Sequence, residues 1–181
     1  KMIDKKIYKE IANDLYTNKL IEKAKKIELL AFDVDGVLTD GGLYFDHNGL
    51  ESKRFYAQDG HGIKILQSIG IEIMIISGRS SKCVTERANE LGIKKIIQGT
   101  RDKLKSFDNE NLKISRDNTC YVGDDTVDIT LLQYVGLSVI VPNSNPILKK
   151  LNFDWITPRQ GGYGAIRDVC DLIYFSKILD V

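Results

Sequence analysis

The chain has 181 residues, of which 43% are apolar and 28% charged, and its net charge is +1. This length is typical of one domain that buries about 70% of its surface on folding, which excludes disordered and fibrous proteins. A nearly neutral chain has no general attraction to nucleic acid, and no apolar run is long enough for a membrane span. The N-terminus lacks a signal-peptide pattern and the three cysteines lie far apart, so we expect a cytoplasmic protein without nucleic-acid or membrane partners.

Residues 1–26 predict a helical leader. A branched apolar residue recurs at every fourth position, at Ile3, Ile7, Ile11 and Leu15, which is typical of an amphipathic helix. Asn18 is the predicted N-cap of a second short helix that ends at Ala24. We interpret the leader as packing its apolar stripe on the domain formed by residues 27–181. The alternative is a basic amphipathic helix that lies on a membrane surface.

From residue 27 onward, predicted strands alternate with predicted helices. The strands are residues 27–32, 71–76, 94–97, 119–122 and 137–141. The helices are residues 62–69, 81–91, 101–112, 126–134, 146–150 and 165–179. Such alternation is typical of βαβ units and a parallel sheet. We therefore predict a Rossmann-like α/β fold in which a parallel sheet lies between two layers of helices.

One segment interrupts this alternation and predicts a β-hairpin. Residues 43–46 and 51–56 flank His47-Asn48-Gly49, and Asn-Gly is a strong hairpin signal. The hairpin, about residues 43–56, follows the first strand, where a larger lid domain could otherwise be inserted. Its aromatic residues are Tyr44, Phe45, Phe55 and Tyr56. We expect some of these rings to be buried against another subunit, because apolar patches of this size are seldom left in water.

Polar motifs follow several of the predicted strands. Residues 33–41 (DVDGVLTDG) come after the first strand, residues 77–79 (SGR) after the second, and residues 123–128 (GDDTVD) after the fourth. Lys103 lies near the start of the helix that follows the third strand. Ligands bind outside the carboxyl ends of the strands in an open parallel sheet. We therefore expect carboxylates, a hydroxyl, a guanidinium and an ammonium group to meet at one edge.

This set of groups suits phosphoryl transfer. A carboxylate can accept a phosphoryl group as an aspartyl phosphate, and a divalent cation such as Mg²⁺ then brings the two anions together. A lysine and a hydroxyl cover the remaining phosphate oxygens, and a second acid protonates the leaving oxygen. Each motif alone has a structural interpretation as a turn or a helix cap. Their joint occurrence at successive strand ends favours catalysis.

Taken together, these motifs resemble the haloacid dehalogenase-like phosphatase superfamily. The resemblance is greatest to its 3-deoxy-D-manno-octulosonate 8-phosphate phosphatases. It extends through DGHGIKIL (59–66), LGI…QGTRDKL (91–104), VGLSV (135–139) and GGYGAIRDVCDLI (161–173). It therefore covers residues 27–176 and leaves only the leader and the last residues outside.

The resemblance implies a role for each matching residue. Asp33 would be the nucleophile and a Mg²⁺ ligand, and Asp35 the general acid/base that lends its backbone carbonyl to the metal. Asp124 would be the third protein ligand, supported by Asp125 and Asp128. Ser77 and Lys103 would hold the phosphoryl group. The substrate site would be lined by Asp35, Tyr56, Ala57, Gln58, Asp59, Gly60, Lys64, Arg79, Arg87 and Lys103.

The resemblance also implies a function and an assembly. We expect a Mg²⁺-dependent phosphatase of a phosphorylated eight-carbon ulosonic acid, which serves lipopolysaccharide synthesis. We expect a homotetramer in which the hairpin replaces a cap domain and a neighbour's segment 161–165 approaches the cleft.

Two alternatives stay open at this stage. One is a phosphatase of nonulosonate 9-phosphates, which share these motifs, and the other is a catalytically idle partner domain. The complete set of Asp33, Asp35, Lys103 and Asp124 argues against the idle domain. Tyr163 stands where the family often has a basic residue, and Pro142-Asn143 replaces a stretch of small residues. These departures leave the choice between eight- and nine-carbon acids open.

Overall fold

A computed structural model describes residues 5–178, with side chains from Glu10 onward. In chain order, its strands are β1 (Leu29–Phe32), β2 (Tyr44–Phe45), β3 (Glu51–Ser52), β4 (Glu72–Ile76), β5 (Lys95–Ile97), β6 (Thr119–Gly123), β7 (Leu137–Ile140) and β8 (Trp155–Ile156). Six of them form one parallel sheet in the order β5-β4-β1-β6-β7-β8, and β2 pairs with β3 in an antiparallel ribbon. The five predicted strands of the parallel sheet are confirmed. The sixth, β8, has only two residues and no apolar run that would have predicted it.

The helices are α1 (Lys5–Leu15), α2 (Asn18–Lys25), α3 (Ala57–Ser68), α4 (Lys82–Leu91), α5 (Lys103–Asn109), α6 (Ile129–Leu132) and α7 (Ala165–Ile178). The predicted helix over 146–150 is only a single 3₁₀ turn, Leu148–Lys150. Helix α3 begins five residues before the predicted start at 62, so its two internal glycines are helical rather than part of a turn. Both glycines let neighbouring side chains approach the backbone of α3. A Cβ at Gly60 would lie 2.4 Å from Arg87, and a Cβ at Gly62 would lie 2.9 Å from Cys170.

Successive residues of the central strands face opposite layers, as the pleat of a strand requires. Leu30 and Phe32 of β1 belong to a core cluster that includes apolar residues of α2, α3, α4 and α7. Leu29 and Ala31 belong to a second cluster with residues of α5 and α6. The predicted three-layer arrangement of helices, sheet and helices is therefore confirmed.

The leader contacts the rest of the chain mainly through α2, which packs against α7. Leu20 and Ala24 are buried in the core. The N-cap of α2 is Thr17 rather than Asn18, since the Thr17 hydroxyl accepts a hydrogen bond from the backbone N–H of Leu20 at 3.3 Å. Two positions of the predicted apolar stripe, Ile11 and Leu15, are exposed. The other two predicted positions, residues 3 and 7, lie outside the side chains described.

The ribbon of β2 and β3 is shorter than predicted, but it closes at the predicted turn. Asp46 shapes this turn, because its carboxylate accepts hydrogen bonds from the backbone N–H groups of Asn48 at 2.9 Å and Leu50 at 2.8 Å. The apolar side chains of the ribbon tip, which are Leu43, Tyr44, Phe45 and Leu50, are 46–67% exposed. Among the residues described here, no helix is both long and apolar enough to cross a membrane.

Candidate active site

The carboxyl ends of β1 and β6 place two aspartates side by side. Phe32 pairs with Val122 in the sheet register, and the backbone N–H of Asp33 donates to the Val122 carbonyl at 3.0 Å. Asp33 therefore lies beside the loop that begins at Gly123 and carries Asp124. Carboxylate oxygens of Asp33, Asp124 and Asp128 all lie within 4.8 Å of one another. We call these three residues the acidic cluster.

Lys103 supplies the positive charge next to this cluster. It is the first residue of α5 and is completely buried. Its Nζ lies 2.6 Å from Asp128 Oδ1, 3.1 Å from Asp33 Oδ1 and 3.2 Å from the hydroxyl of Tyr121. Burial acts to lower the pKa of Lys103, but the carboxylates of Asp33 and Asp128 outweigh it and raise the pKa above its usual value. The side chain therefore stays an ammonium ion.

Asp128 differs from the other two acids because both of its oxygens are fully engaged. Oδ1 accepts hydrogen bonds from Lys103 and from the Tyr121 hydroxyl, each at 2.6 Å. Oδ2 accepts from the backbone N–H groups of Asp124 and Asp125, each at 3.0 Å. With two donors on each oxygen, Asp128 has no lone pair left for a metal ion. Its position suits a support for the lysine and for the loop at 124–125.

Asp33 and Asp124 have the opposite character. Oδ1 of Asp33 is buried, and its charged partner is Lys103 at 3.1 Å, without a hydrogen bond of favourable geometry. Burial raises the pKa of Asp33 to about 6 and that of Asp124 to about 8, and the neighbouring carboxylates add to both shifts. When all three carboxyl groups are ionised, they leave two negative charges against the one ammonium group in a buried place. A divalent cation held by Asp33 and Asp124 would balance them, and carboxylate oxygens are ligands that Mg²⁺ prefers.

Close backbone packing holds the loop after Asp33. Gly36 has a φ of +89°, and a Cβ there would lie 2.2 Å from an Asp124 carboxylate oxygen. The amide of Asn143 donates to the Gly36 carbonyl at 2.9 Å and accepts from the backbone N–H of Gly161 at 2.8 Å. The N–H of Gly162 donates to the Val37 carbonyl at 3.1 Å. The two glycines expected to approach a neighbour's cleft thus lie against the loop that follows Asp33 in their own chain.

The carboxyl group of Asp35 does not join the acidic cluster. Its Oδ1 pairs with the ammonium group of Lys53, which follows β3, and its Oδ2 lies 3.6 Å from Nε of Arg79. Glu51 contacts the same two cations, at 3.3 Å from Lys53 and 2.8 Å from Arg79. The hairpin is therefore joined to the loop of Asp33 and Asp35 by paired charges. The predicted metal contact of Asp35 depends on its backbone carbonyl, which belongs to the same loop as Asp33.

Ser77 and Arg79 follow β4, the strand next to β1. The backbone N–H of Ser77 continues the parallel ladder to the Ile97 carbonyl at 2.8 Å, which places it at the same edge as Asp33. Its side chain is buried, and its hydroxyl accepts from the backbone N–H of Arg79 at 3.2 Å. The Arg79 side chain is 43% exposed at the rim. Both residues thus stand where the motif SGR predicts them.

The other predicted substrate residues lie apart from the acidic cluster. A groove of about 580 Å³ along α3 and α4 is lined by Ala57, Gly60, Lys64 and Arg87, among others. Gln58 accepts a hydrogen bond from Arg159 at 2.7 Å, and Tyr56 is half-buried before α3. Asp59 is completely buried and accepts from the backbone N–H of Arg167 in the first turn of α7 at 2.7 Å. Its carboxyl group therefore has no surface open to a ligand.

Three residues of the site were not found by sequence reasoning. Tyr121 had a signal, because a tyrosine in a fully buried strand needs a partner for its hydroxyl. Asn143 stands in the sequence only as a departure from the family pattern, yet its side chain joins the loops of Gly36 and Gly161. Lys53 had no signal, because nothing in Glu51-Ser52-Lys53 indicates that this lysine is buried.

Comparisons with known proteins agree with this geometry. Residues 103–164 match the family model of the haloacid dehalogenase-like hydrolases. The chain is 44% identical over 160 residues to the 3-deoxy-D-manno-octulosonate 8-phosphate phosphatase KdsC of Escherichia coli K12, covering 87% of this chain and 85% of that protein.

Two crystal structures are similar over most of the chain. The structure of the Yersinia pestis 3-deoxy-D-manno-octulosonate 8-phosphate phosphatase has a TM-score of 0.87 and 39% identity, covering 90% of this chain and 88% of that one. The Moraxella catarrhalis phosphatase of the same name was solved in complex with a magnesium ion, a phosphate ion and a KDO molecule. It has a TM-score of 0.86 and 42% identity, covering 90% of this chain and 94% of that one.

Proposed function

The chain belongs to the 3-deoxy-D-manno-octulosonate 8-phosphate phosphatases of the haloacid dehalogenase-like hydrolases, and we infer that it is a Mg²⁺-dependent phosphatase that hydrolyses this sugar phosphate to KDO and inorganic phosphate. The observation that carries this proposal is the buried Asp33 carboxylate, whose Oδ1 lies 3.1 Å from the ammonium group of Lys103 and which has the Asp124 carboxylate within 4.8 Å. An aspartate that attacks phosphorus and binds a metal ion needs a carboxylate that lies close to a cation and to a second carboxylate. The magnesium, phosphate and KDO of the Moraxella relative support the same choice of ligands.

In the first step, an oxygen of the Asp33 carboxylate forms a bond to phosphorus while the bond from phosphorus to the sugar oxygen breaks. The Asp35 carboxyl group donates its proton to that oxygen, which leaves as an alcohol. The ammonium group of Lys103 and the hydroxyl of Ser77 stabilise the transferring phosphoryl group. When bound by Asp33, Asp124 and the Asp35 carbonyl, Mg²⁺ supplies the positive charge that lets carboxylate and phosphate approach each other.

In the second step, water attacks the phosphorus of the aspartyl phosphate. The Asp35 carboxylate accepts the proton of this water, the acyl–phosphate bond breaks, and Asp33 is regenerated as a carboxylate with release of inorganic phosphate. Asp128 keeps Lys103 and the loop at 124–125 in place throughout. Arg79, at the rim, faces the part of the substrate that is not transferred.

We place the enzyme in the cytoplasm, where its three free cysteines stay reduced, and we propose that it forms a homotetramer. The exposed tip of the hairpin supplies an apolar contact surface for this assembly. The groove along α3 and α4, with its Lys64 and Arg87, lies apart from the acidic cluster of its own chain. In a tetramer it can complete the site of a neighbouring copy.

A phosphate-release assay with Mg²⁺ tests the substrate. The panel contains the eight-carbon 8-phosphate, nine-carbon nonulosonate 9-phosphates and p-nitrophenyl phosphate. We expect kcat/KM for the eight-carbon acid to exceed that for the nine-carbon acids by at least about tenfold, since a misplaced carboxylate loses its charged partner. Equal values would overturn the substrate assignment. No phosphate release from any substrate would overturn the phosphatase.

Asp33→Asn tests the nucleophile, because an amide attacks phosphorus very poorly. We expect kcat to fall below about 1% of the wild-type value, which is within the range for loss of a catalytic group. Circular dichroism and the unfolding midpoint should be preserved, since the change removes a buried charge. Asp117→Asn, in an exposed 3₁₀ turn, is the matched control and should keep full activity. Retained turnover in Asp33→Asn would remove Asp33 from this role.

A further inference from the structure

We propose that Lys53 is a positioning residue for the general acid/base Asp35, and that the hairpin exists in part to deliver it. The side chain of Lys53 is only 1% exposed, although it belongs to a surface ribbon. Lysine is almost never fully buried unless its charge is paired. Here the ammonium group contacts Oδ1 of Asp35 and lies 3.3 Å from Oε1 of Glu51. The inference rests on the proposed function, which gives Asp35 its catalytic role.

Lys53 is one of four charged groups that form a closed ring. Glu51 lies 2.8 Å from Arg79, and Nε of Arg79 lies 3.6 Å from Oδ2 of Asp35. The other oxygen of Asp35 contacts Lys53, which closes the ring. With both carboxyl groups ionised, which is the state before Asp35 takes up the proton that it donates, the two cations balance them and the ring adds no net charge to the site. The thiol of Cys83 in α4 donates to the Glu51 carbonyl at 3.2 Å and ties the strand to the domain.

The ring fixes the direction in which the Asp35 carboxyl group points. Each of its two oxygens faces one cation, and a carboxylate held at both oxygens cannot rotate freely about its last bond. Proton transfer to the leaving oxygen requires the donor to be within hydrogen-bond reach in the right orientation. Lys53 therefore acts through Asp35 rather than on the phosphoryl group.

The first test compares two leaving groups. A sugar alkoxide needs the proton of Asp35 when it leaves, whereas p-nitrophenolate leaves readily without it. The variant Lys53→Met keeps the length of the side chain but removes its charge. We expect it to lower kcat/KM for the sugar phosphate by about 10- to 100-fold, part of what general acid catalysis contributes. The loss with p-nitrophenyl phosphate should be at least tenfold smaller.

Two further variants control this comparison. Lys53→Arg keeps the positive charge and should recover most of the activity toward the sugar phosphate. Lys82→Met removes an exposed lysine at the start of α4 and should show no leaving-group dependence. If Lys53→Met loses equal activity toward both substrates, Lys53 supports the fold or the phosphate instead, and the proposal is overturned.

A double-mutant cycle tests whether Lys53 acts through Asp35. In an Asp35→Asn background, Lys53→Met should cost less than about twofold in kcat/KM, because the group it positions is already absent. A full, additive cost would contradict the proposal. The same cycle on thermal unfolding midpoints needs no substrate, and non-additive shifts are expected there too. The unfolding cycle therefore tests the role of Lys53 even if the wild-type enzyme is inactive on the sugar phosphate. Such inactivity would overturn only the proposed function. Additive shifts of the unfolding midpoint would overturn the role of Lys53.

Discussion

Gly36 determines how closely the loop after Asp33 approaches Asp124. Its φ of +89° suits glycine, and its missing side chain leaves room for the Asp124 carboxylate. A Cβ would lie 2.2 Å from that carboxylate, which is far inside van der Waals contact. The glycine after the Asp-x-Asp motif is therefore needed for space as well as for backbone conformation.

Gly36→Ala should therefore weaken Mg²⁺ binding. Gly49→Ala is the matched control, because Gly49 also has a positive φ, +77°, but a Cβ there would meet no atom within 4 Å. Both variants should lose about 1–2 kcal/mol of stability from the strained backbone. Only Gly36→Ala should raise the Mg²⁺ concentration for half-maximal activity, by about tenfold or more, since it displaces a ligand. Equal Mg²⁺ requirements in the two variants would contradict this prediction and show that the Asp124 carboxylate can move away from a Cβ at position 36 without loss of Mg²⁺ binding.

Asp59 should make the stability of the protein depend on pH. Burial raises the pKa of Asp59 to about 6 in the folded state, against 3.8 for the free side chain. The folded state therefore binds more protons than the unfolded state between pH 4 and 6, so stability falls as the pH rises through this window. Relative to Asp59→Asn, the wild type should lose up to about 3 kcal/mol between pH 4 and pH 7. Denaturant unfolding at the two pH values measures this difference, and parallel pH profiles would refute it.

The candidate site was predictable from sequence where its residues follow strands. Asp33, Ser77 and Asp124 each come directly after a buried strand, and the edge of a parallel sheet brings such positions together. Lys53 could not be predicted in the same way. Its burial depends on how a short ribbon folds back over the loop of Asp35, and a pattern of neighbouring residues does not encode that path.

At the level of elements, the hairpin combines a charged base with an apolar tip. The base is joined to Asp35 through Lys53, which Glu51 also contacts, whereas the tip exposes Tyr44 and Phe45. A two-stranded ribbon is marginally stable alone. The base therefore fixes its position, and the tip remains available for another copy of the chain.

Phe45→Asp should dissociate the proposed tetramer. The ring of Phe45 is 57% exposed in the single chain, and a carboxylate buried in an apolar interface would carry a large desolvation cost. Light scattering coupled to gel filtration should show a smaller species, with lower activity at the same protein concentration. Asn48→Asp, at the exposed turn, adds the same charge without removing a ring and should leave the assembly intact. A wild-type protein that is fully active as a monomer would contradict the proposed assembly.

The fold was predictable to the extent that its elements have an apolar signature. The strand β1 is a run of buried apolar residues, and its type and place in the sheet follow from that pattern. The start of α3 was missed because two glycines resemble a turn in sequence, while in the structure they allow Arg87 and Cys170 to come close. These close contacts form only when α3, α4 and α7 pack together, so the sequence of α3 alone does not reveal why it contains two glycines.

For the molecule as a whole, the site concentrates negative charge in a chain whose net charge is +1. Mg²⁺ should therefore stabilise the folded state, since it binds the acidic cluster only when the cluster is assembled. At a Mg²⁺ concentration 100 times its Kd, the free energy of unfolding rises by about 2.7 kcal/mol, which corresponds to a rise in Tm of about 5–10 °C. A chelator should abolish both the rise and the activity. Ca²⁺ should inhibit the phosphatase activity, because its looser coordination misaligns the attack of the Asp33 carboxylate on phosphorus.

Asp124→Asn is the control for this measurement. It removes a ligand and a crowded negative charge at once, so its Tm without Mg²⁺ should be at or above that of the wild type. Added Mg²⁺ should then change its Tm by much less. A full Mg²⁺-dependent rise in this variant would place the metal elsewhere, and full activity in excess chelator would contradict the metal-dependent mechanism.

The contact between Gly36 and Gly161 also has a consequence for the order in which the protein acquires its activity. These residues are far apart along the chain, yet a Cβ at Gly161 would lie only 1.8 Å from the Gly36 carbonyl. Contacts of such high sequence separation form late, because a long loop must close first. During synthesis, Asp33 leaves the ribosome early, but its loop gains the contacts with Gly161 and Gly162 only after the segment before α7 has followed. Catalytic competence is therefore among the last properties that the nascent chain gains.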